Sequence, residues 1–192
     1  MKVFKKVIFI VIFMLATLAN YANKNNFYNT KNSENITFVF KGTKKGHQLK
    51  VKDQNGEVLY SEEIKRKGNI TKSFNFNNLK DGSYTLELEK DFEIIVKSIK
   101  IERNKVVIEK AENIIFKPVI RLESDKLMIS KITFDKKPLE IALFFKGEII
   151  YSETIKGGPI VNRIYKLDLK AKGDYEIVIE NNGRTYNEIF KL

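Results

Sequence analysis

The sequence predicts an all-β protein built from two antiparallel β-sandwiches in tandem, and three observations carry that expectation. The run Gly56-Glu57-Val58-Leu59-Tyr60-Ser61-Glu62 returns as Gly147-Glu148-Ile149-Ile150-Tyr151-Ser152-Glu153, and the same offset of 91 carries Gly82 and Tyr84 onto Gly173 and Tyr175. Aligned without a gap, residues 56–101 and 147–192 share 11 identities in 46 positions, and apolar positions mostly exchange for apolar ones. A unit written twice implies one fold made twice. The second observation is alternation: Tyr84, Leu86 and Leu88 interleave with Ser83, Thr85, Glu87 and Glu89, and Tyr175, Ile177 and Ile179 repeat the pattern. A period of two marks a half-buried strand. The third is that no stretch after residue 22 sustains a helical period, while turn residues recur roughly every 8 to 12 positions, the spacing of sandwich strands.

The chain opens with Lys2, Lys5 and Lys6, then an apolar run from Val7 to Leu18 and small residues at Ala16, Ala19 and Ala22. That order is the order of a secretory signal peptide, expected here as a helix within 1–22 and cleaved after Ala19 or Ala22. The apolar run is shorter than the about 20 residues a membrane span needs. An exported protein without a span is therefore expected, in the periplasm, at the cell surface or outside. Residues 23–35 are Asn-rich and read as a linker able to add one loose edge strand. The first sandwich is assigned to 36–110 and the second to 111–192, each of the immunoglobulin or fibronectin III kind.

Within the first unit, Ile36 to Phe40 is β-rich and Lys41 to Gly46 breaks it. Leu49 and Val51 alternate with lysines up to Asp53-Gln54-Asn55-Gly56, a turn in which Asn and Gly tolerate positive φ. Glu57 to Ile64 returns, Lys65 to Gly68 turns again, and Ile70 to Phe76 precedes the alternating strand. The contiguous Ile94, Ile95 and Val96 suit a central strand covered on both faces, and Val106 to Ile108 closes the unit. Ala111 to Phe116 is read as a short connection. Pro118 cannot donate to a ladder and marks an edge. Val119 to Leu122 and Leu127 to Phe134 form a hairpin around Ser124-Asp125. Leu139, Ile141 and Leu143 then begin the second run, whose turn at Phe144 to Gly147 is read as one residue longer than its counterpart.

With 192 residues, two small domains with modest cores are the better count. No cysteine occurs, which excludes disulfides, thiol and zinc-thiolate chemistry, and the lipidated cysteine of a bacterial lipoprotein. The formal charge is +11, falling to +8 once the three leader lysines are removed. Lysines spread among 24 acidic residues read as a solvated surface; a patch for an anionic glycan is the alternative, and no nucleic acid is expected.

In the run Gly56 to Glu62 followed by Phe76-Asn77-Asn78-Leu79-Lys80-Asp81-Gly82-Ser83-Tyr84, the sequence resembles the C-terminal sorting domains of the Bacteroidetes type IX (Por) secretion system and related small exported proteins. The resemblance implies a compact seven-stranded sandwich in which a Leu-x-x-Gly-x-Tyr segment leads a strand. The first copy carries Leu79, Gly82 and Tyr84 at those spacings. The second keeps Gly173 and Tyr175 but has Lys170 where Leu79 maps, with Leu169 as the substitute. Sorting domains trail a large cargo, and two modules leave no room for one.

No catalytic, cofactor-binding or metal-binding residue is expected. His47 is the only histidine and lacks a nucleophile or orienting partner, so it is read as exposed and structural. Glu62-Glu63 and the pair Glu87 and Glu89 could pose as paired carboxylates, but Glu87 and Glu89 share the face opposite the apolar one, which solvation explains. Asp53 to Gly56 lacks the downstream acid of a calcium loop and reads as a plain turn. Lys41 to Gly46 opens no helix and is not a phosphate loop. Tyr60, Tyr151, Tyr84 and Tyr175 are assigned to core or corner packing with a hydrogen-bonded hydroxyl rather than to sugar stacking. The sequons at Asn35 and Asn69 read as chance. The expected function is a non-catalytic binding, adhesion or structural module of the cell envelope, not an enzyme, acting on another envelope protein or an anionic glycan. The alternative makes the second repeat a sorting signal.

Overall fold

The computed structural model describes residues 35–103, 105–156 and 158–192, together with the backbone of 27–30. The leader and most of the linker lie outside the described residues. Every regular element among the described residues is a strand, and every pairing is antiparallel.

The first module contains β1 (Phe27–Thr30), β2 (Ile36–Thr43), β3 (Gln48–Lys52), β4 (Val58–Glu63), β5 (Gly68–Phe74), β6 (Gly82–Glu89), β7 (Glu93–Glu102), β8 (Lys105–Glu109) and β9 (Asn113–Phe116). A seven-stranded sheet runs β1-β8-β7-β6-β3-β4 with β9 added to β7, and β2 pairs with β5 to make the opposing layer. β7 pairs β6 along its length and has β9 and β8 on its other side, so the Ile94 to Val96 run is central as expected. The reading of Ala111 to Phe116 as a bare connection is corrected: Asn113 to Phe116 is a strand in register with Val96 to Glu93. Its Ile114 and Ile115 supply the β propensity.

The second module contains β10 (Val119–Glu123), β11 (Lys126–Ile132), β12 (Leu139–Phe145), β13 (Glu148–Ile155), β14 (Ile160–Lys166), β15 (Asp174–Asn181) and β16 (Arg184–Lys191). A three-stranded sheet, β10-β11-β14, faces a four-stranded one, β13-β12-β15-β16. The hairpin around Ser124-Asp125 forms as read, with Ser124 at φ 55°, and Pro118 stands just before the edge strand β10. The β12–β13 turn is shorter than its counterpart, not longer. Phe145 pairs directly with Glu148 across Lys146-Gly147, whereas β3 and β4 are joined by Asp53 to Glu57. Lys146 at φ 51° and Gly147 at φ 84° adopt the left-handed pair that a two-residue hairpin demands.

Each module closes on its own core. In the first, inward residues of β2 (Ile36, Phe38, Phe40) meet Leu49 and Val51 of β3, Leu86 and Leu88 of β6 and Ile99 of β7. Phe38 packs on Phe40, Phe74 and Phe76 with centroids 6.0–6.5 Å apart. In the second, Leu127, Ile129, Ile141, Leu143, Ile177 and Ile179 form an aliphatic core, closed at one end by Tyr175 stacked on Phe190. Each fully buried side chain of this kind stabilises by about 1.5–3 kcal/mol. The two modules share a tyrosine corner: the Tyr84 hydroxyl donates to the Lys80 carbonyl at 2.8 Å and Tyr175 to Ala171 at 3.1 Å. Leu79 packs against the first core, but Leu169 is exposed and does not take its place. Gly173 passes close to β12: a Cβ there would lie 3.0 Å from the Phe145 ring and 2.7 Å from the Cε of Lys146, the movable end of that side chain.

Candidate functional site: two exposed edges and a charged junction

The repeated stretch forms β4 and β13, and both are edge strands. Val58, Leu59 and Tyr60 in one, and Ile149, Ile150 and Tyr151 in the other, are 39–63% exposed. A register step in each hairpin, at Val51/Lys52 and at Leu143/Phe144, leaves Leu59 and Ile150 as the extra residue of a β-bulge. Bulges twist an edge away from further pairing, so these strands present apolar side chains while their ladders stay blunted.

Behind each edge sits the same clasp between the two sheets. Tyr60 meets the Phe74 ring at 5.4 Å, its hydroxyl donates to Glu62 at 2.6 Å, and Lys72 Nζ donates to both Glu62 oxygens at 2.6 Å. In the second module Tyr151 lies 5.4 Å from Tyr165, the Tyr165 hydroxyl donates to Glu153, and Arg163 Nε donates to Glu153 at 3.3 Å. The hydroxyl has moved from the edge strand to its neighbour while the carboxylate and cation stay put. The Lys72 and Tyr60 hydrogen bonds hold the Glu62 carboxyl below its usual range, and the bond to Glu62 pushes the Tyr60 hydroxyl up to about 12. Burial and the Glu153 bond push Tyr165 up as well. In each module a carboxylate, a tyrosine hydroxyl and a cation fasten one sheet to the other. The placement of Tyr60 and Tyr151 in the core is thus corrected to half-exposed edge positions, because each sits on an edge strand and meets an aromatic ring of the opposing sheet on one side only.

Where the modules meet, the reading of Glu87 as solvated fails. Glu87 is 4% exposed, because the β15–β16 hairpin of the second module lands on it: Arg184 Nη2 donates at 2.6 Å and Lys52 Nζ lies at 2.9 Å. Glu89 beside it is held by Lys50 at 3.1 Å and Lys117 at 3.0 Å. For both, burial pulls the carboxyl up, but the hydrogen bonds, from Arg184 and Lys52 to Glu87 and from Lys117 and Lys50 to Glu89, outweigh it and keep each below the usual range. Glu87 in turn raises Arg184 against the pull of burial. Nearby, Phe116 of β9 meets Phe134 edge to face at 6.0 Å, and its carbonyl accepts from Lys131 Nζ at 2.6 Å.

His47 is buried, 5% exposed, and not at the surface as read. Its Nδ1 accepts from the Lys44 backbone N–H at 3.2 Å and its Nε2 lies 3.5 Å from Asp91, so the ring is tucked under the turn it follows. Asp53 accepts from the backbone N–H groups of Asn55 and Glu57, both at 2.9 Å, and so caps its own turn. Among the described residues no three His, Cys, Asp or Glu side chains cluster to hold a metal, and no helix is long and apolar enough to cross a membrane, which says nothing of β-barrels. The edge clasps had a sequence signal, since Glu62/Glu153, Lys72/Arg163 and Phe74/Tyr165 coincide under the offset of 91. The junction had none.

Residues 29–102 match the family described as the secretion system C-terminal sorting domain. The match spans most of the first module and includes the Leu79, Gly82 and Tyr84 segment, so the resemblance to type IX sorting domains stands, and it accords with an exported protein. No curated protein matches the chain. Among solved structures, a biofilm-associated protein BSP domain is 12% identical at a TM-score of 0.28, covering 91% of this chain and 31% of that one. Drosophila OTK extracellular domains 3–5 are 10% identical at 0.26, covering 89% and 98%, and the human OSCAR ligand-binding domain is 9% identical at 0.25, covering 86% and 96%. The chain spans under a third of the biofilm protein and 58% of an Ig1-Ig2 structure of Dpr2, which is 14% identical at 0.28.

Proposed function

We propose that this is an exported, non-catalytic binding module of the cell envelope that engages a partner protein through the apolar side chains at its two sandwich edges. One observation carries the reading: the best-preserved stretch of the duplication is spent on exposed residues, Val58 to Tyr60 and Ile149 to Tyr151, and not on either core. Exposed apolar patches of this kind mark interaction sites. The clasps at Glu62 and Glu153 supply a firm backing for them. Saturable binding to an envelope fraction is expected, surviving high salt and lost when Leu59→Lys and Ile150→Lys are combined. Retention that vanishes with salt and ignores those two substitutions would instead favour charge-based capture of anionic polysaccharide. A hydrolase or transferase activity abolished by one point substitution would overturn the reading.

A second reading makes the second repeat a sorting signal for outer-membrane secretion; the sorting-domain match that prompts it lies over residues 29–102, in the first repeat. Mass spectrometry of the exported protein separates the two: removal of the second repeat supports sorting, and a C-terminus intact to Leu192 counts against it.

A further inference from the structure

Phe40 and Lys131 occupy the same register position in the two modules. Phe40 pairs with Ile70 and Lys131 with Val161, and Ile70 and Val161 are themselves equivalent under the repeat. Both side chains are buried, at 2% and 3% exposed. The second module therefore carries an ammonium where the first carries a core phenylalanine. Burying such a charge is expensive unless an opposite charge meets it. Glu87, the other deeply buried charge at the junction, has two cations within 3 Å. Lys131 has no carboxylate within 4.0 Å among the described residues. It donates once, to the Phe116 carbonyl, and lies 5.5 Å from the Tyr186 ring centroid. An ammonium has three donors.

Lys131 is among the residues lining a cleft of about 180 Å³ between the modules. Arg184 and Asn181 share its polar wall, while Ile114, Ile132 and Phe134 line the same cleft and are exposed. Arg184 is already committed to Glu87. A buried cation with no carboxylate in ion-pair reach, in a cleft whose wall is part polar and part apolar, favours one ligand chemistry. We propose that the cleft binds an apolar carboxylate, its carboxyl group on Lys131 and its hydrocarbon body against Ile114, Ile132 and Phe134. A free organic acid and the C-terminus of a peptide ending in an apolar residue present that same chemistry. Asp135, also lining the cleft, is exposed and competes for Lys131 from beyond ion-pair reach. The site is separate from the edge strands and stands whether or not they bind.

The full chain titrated at neutral pH with hexanoate and with N-acetylphenylalanine, followed by amide chemical shifts, tests this. Saturable shifts confined to the cleft are expected, at least tenfold weaker for N-acetylphenylalaninamide, absent in Lys131→Met and stronger in Asp135→Asn. Preference for hexanoate assigns the source to a free acid, and preference for the acetylated residue to a peptide terminus. Lys131→Met should also melt higher than the parent, since the replacement removes an uncompensated buried charge and keeps the volume. Equal response to acid and amide, binding that survives Lys131→Met, or an Asp135→Asn variant that melts lower and binds nothing would overturn the proposal. The last of these would make Asp135 the counter-ion.

Discussion

The two modules answer the same strand plan with different materials. The first packs an aromatic cluster around Phe38, whereas the second puts Ile129, an aliphatic residue, at that register position and a lysine at the next inward one. Their leading strands also part company. β1 joins the large sheet by pairing with β8, while β10, which precedes its module in the same way, pairs with β11 in the opposite layer. The first module alone carries two strands after its last repeated one, β8 and β9, and β9 widens the sheet beside the surface on which the second module lands. The lesson is that duplication preserved the pairing scheme and the exposed edge, and that the inner filling was free to diverge so long as each interior stayed apolar enough to close.

The comparison predicts that equivalent core truncations differ. Phe38→Ala should cost about 3–5 kcal/mol and Ile129→Ala about 2–4, read as separate shifts in urea unfolding, because the ring deletion strips three aromatic neighbours at once. Equal losses would mean that the aromatic cluster adds nothing to what an aliphatic core supplies.

Next in size is the junction. Glu87→Gln leaves Arg184 facing a neutral amide in a buried setting and should cost about 3 kcal/mol. It should also split a joint calorimetric transition into two. A single transition that keeps its midpoint would show that the modules are coupled by something other than this pair.

Acid should do the same without mutation. Glu87 and Glu89 are held below their ordinary range in the folded chain, so the stability they contribute is complete above the unfolded value of about 4.3 and is lost as pH falls through the lower folded values. Module coupling should therefore persist at pH 5 and fade in the window below about pH 4, and Glu87→Gln should flatten that dependence. Coupling that weakens on raising the pH from 5 to 8 would contradict the assignment.

The smallest effect belongs to the corner. Tyr84→Phe and Tyr175→Phe should each cost about 1 kcal/mol, with Tyr84 the larger, since its bond to Lys80 is 2.8 Å against 3.1 Å for Tyr175 to Ala171. The opposite ranking would show that the close passage at Gly173 does more for the second corner than the hydrogen bond does.

By itself the sequence determined most of the strands, the duplication and the corner tyrosines, though not the length of the β12–β13 turn. Alternation, positive-φ residues and a fixed offset are local properties that the chain carries wherever it goes. Only the tertiary structure decided which sheet β1 and β10 join, that Asn113 to Phe116 is a strand and not a connection, that His47 and Glu87 are buried, and that Lys131 stands in a core row. Burial depends on what arrives from far along the chain. Glu87 reads as a solvent-facing residue of an amphipathic strand until Arg184, 97 residues away, is brought down upon it, and no pattern within either repeat announces a contact made between them.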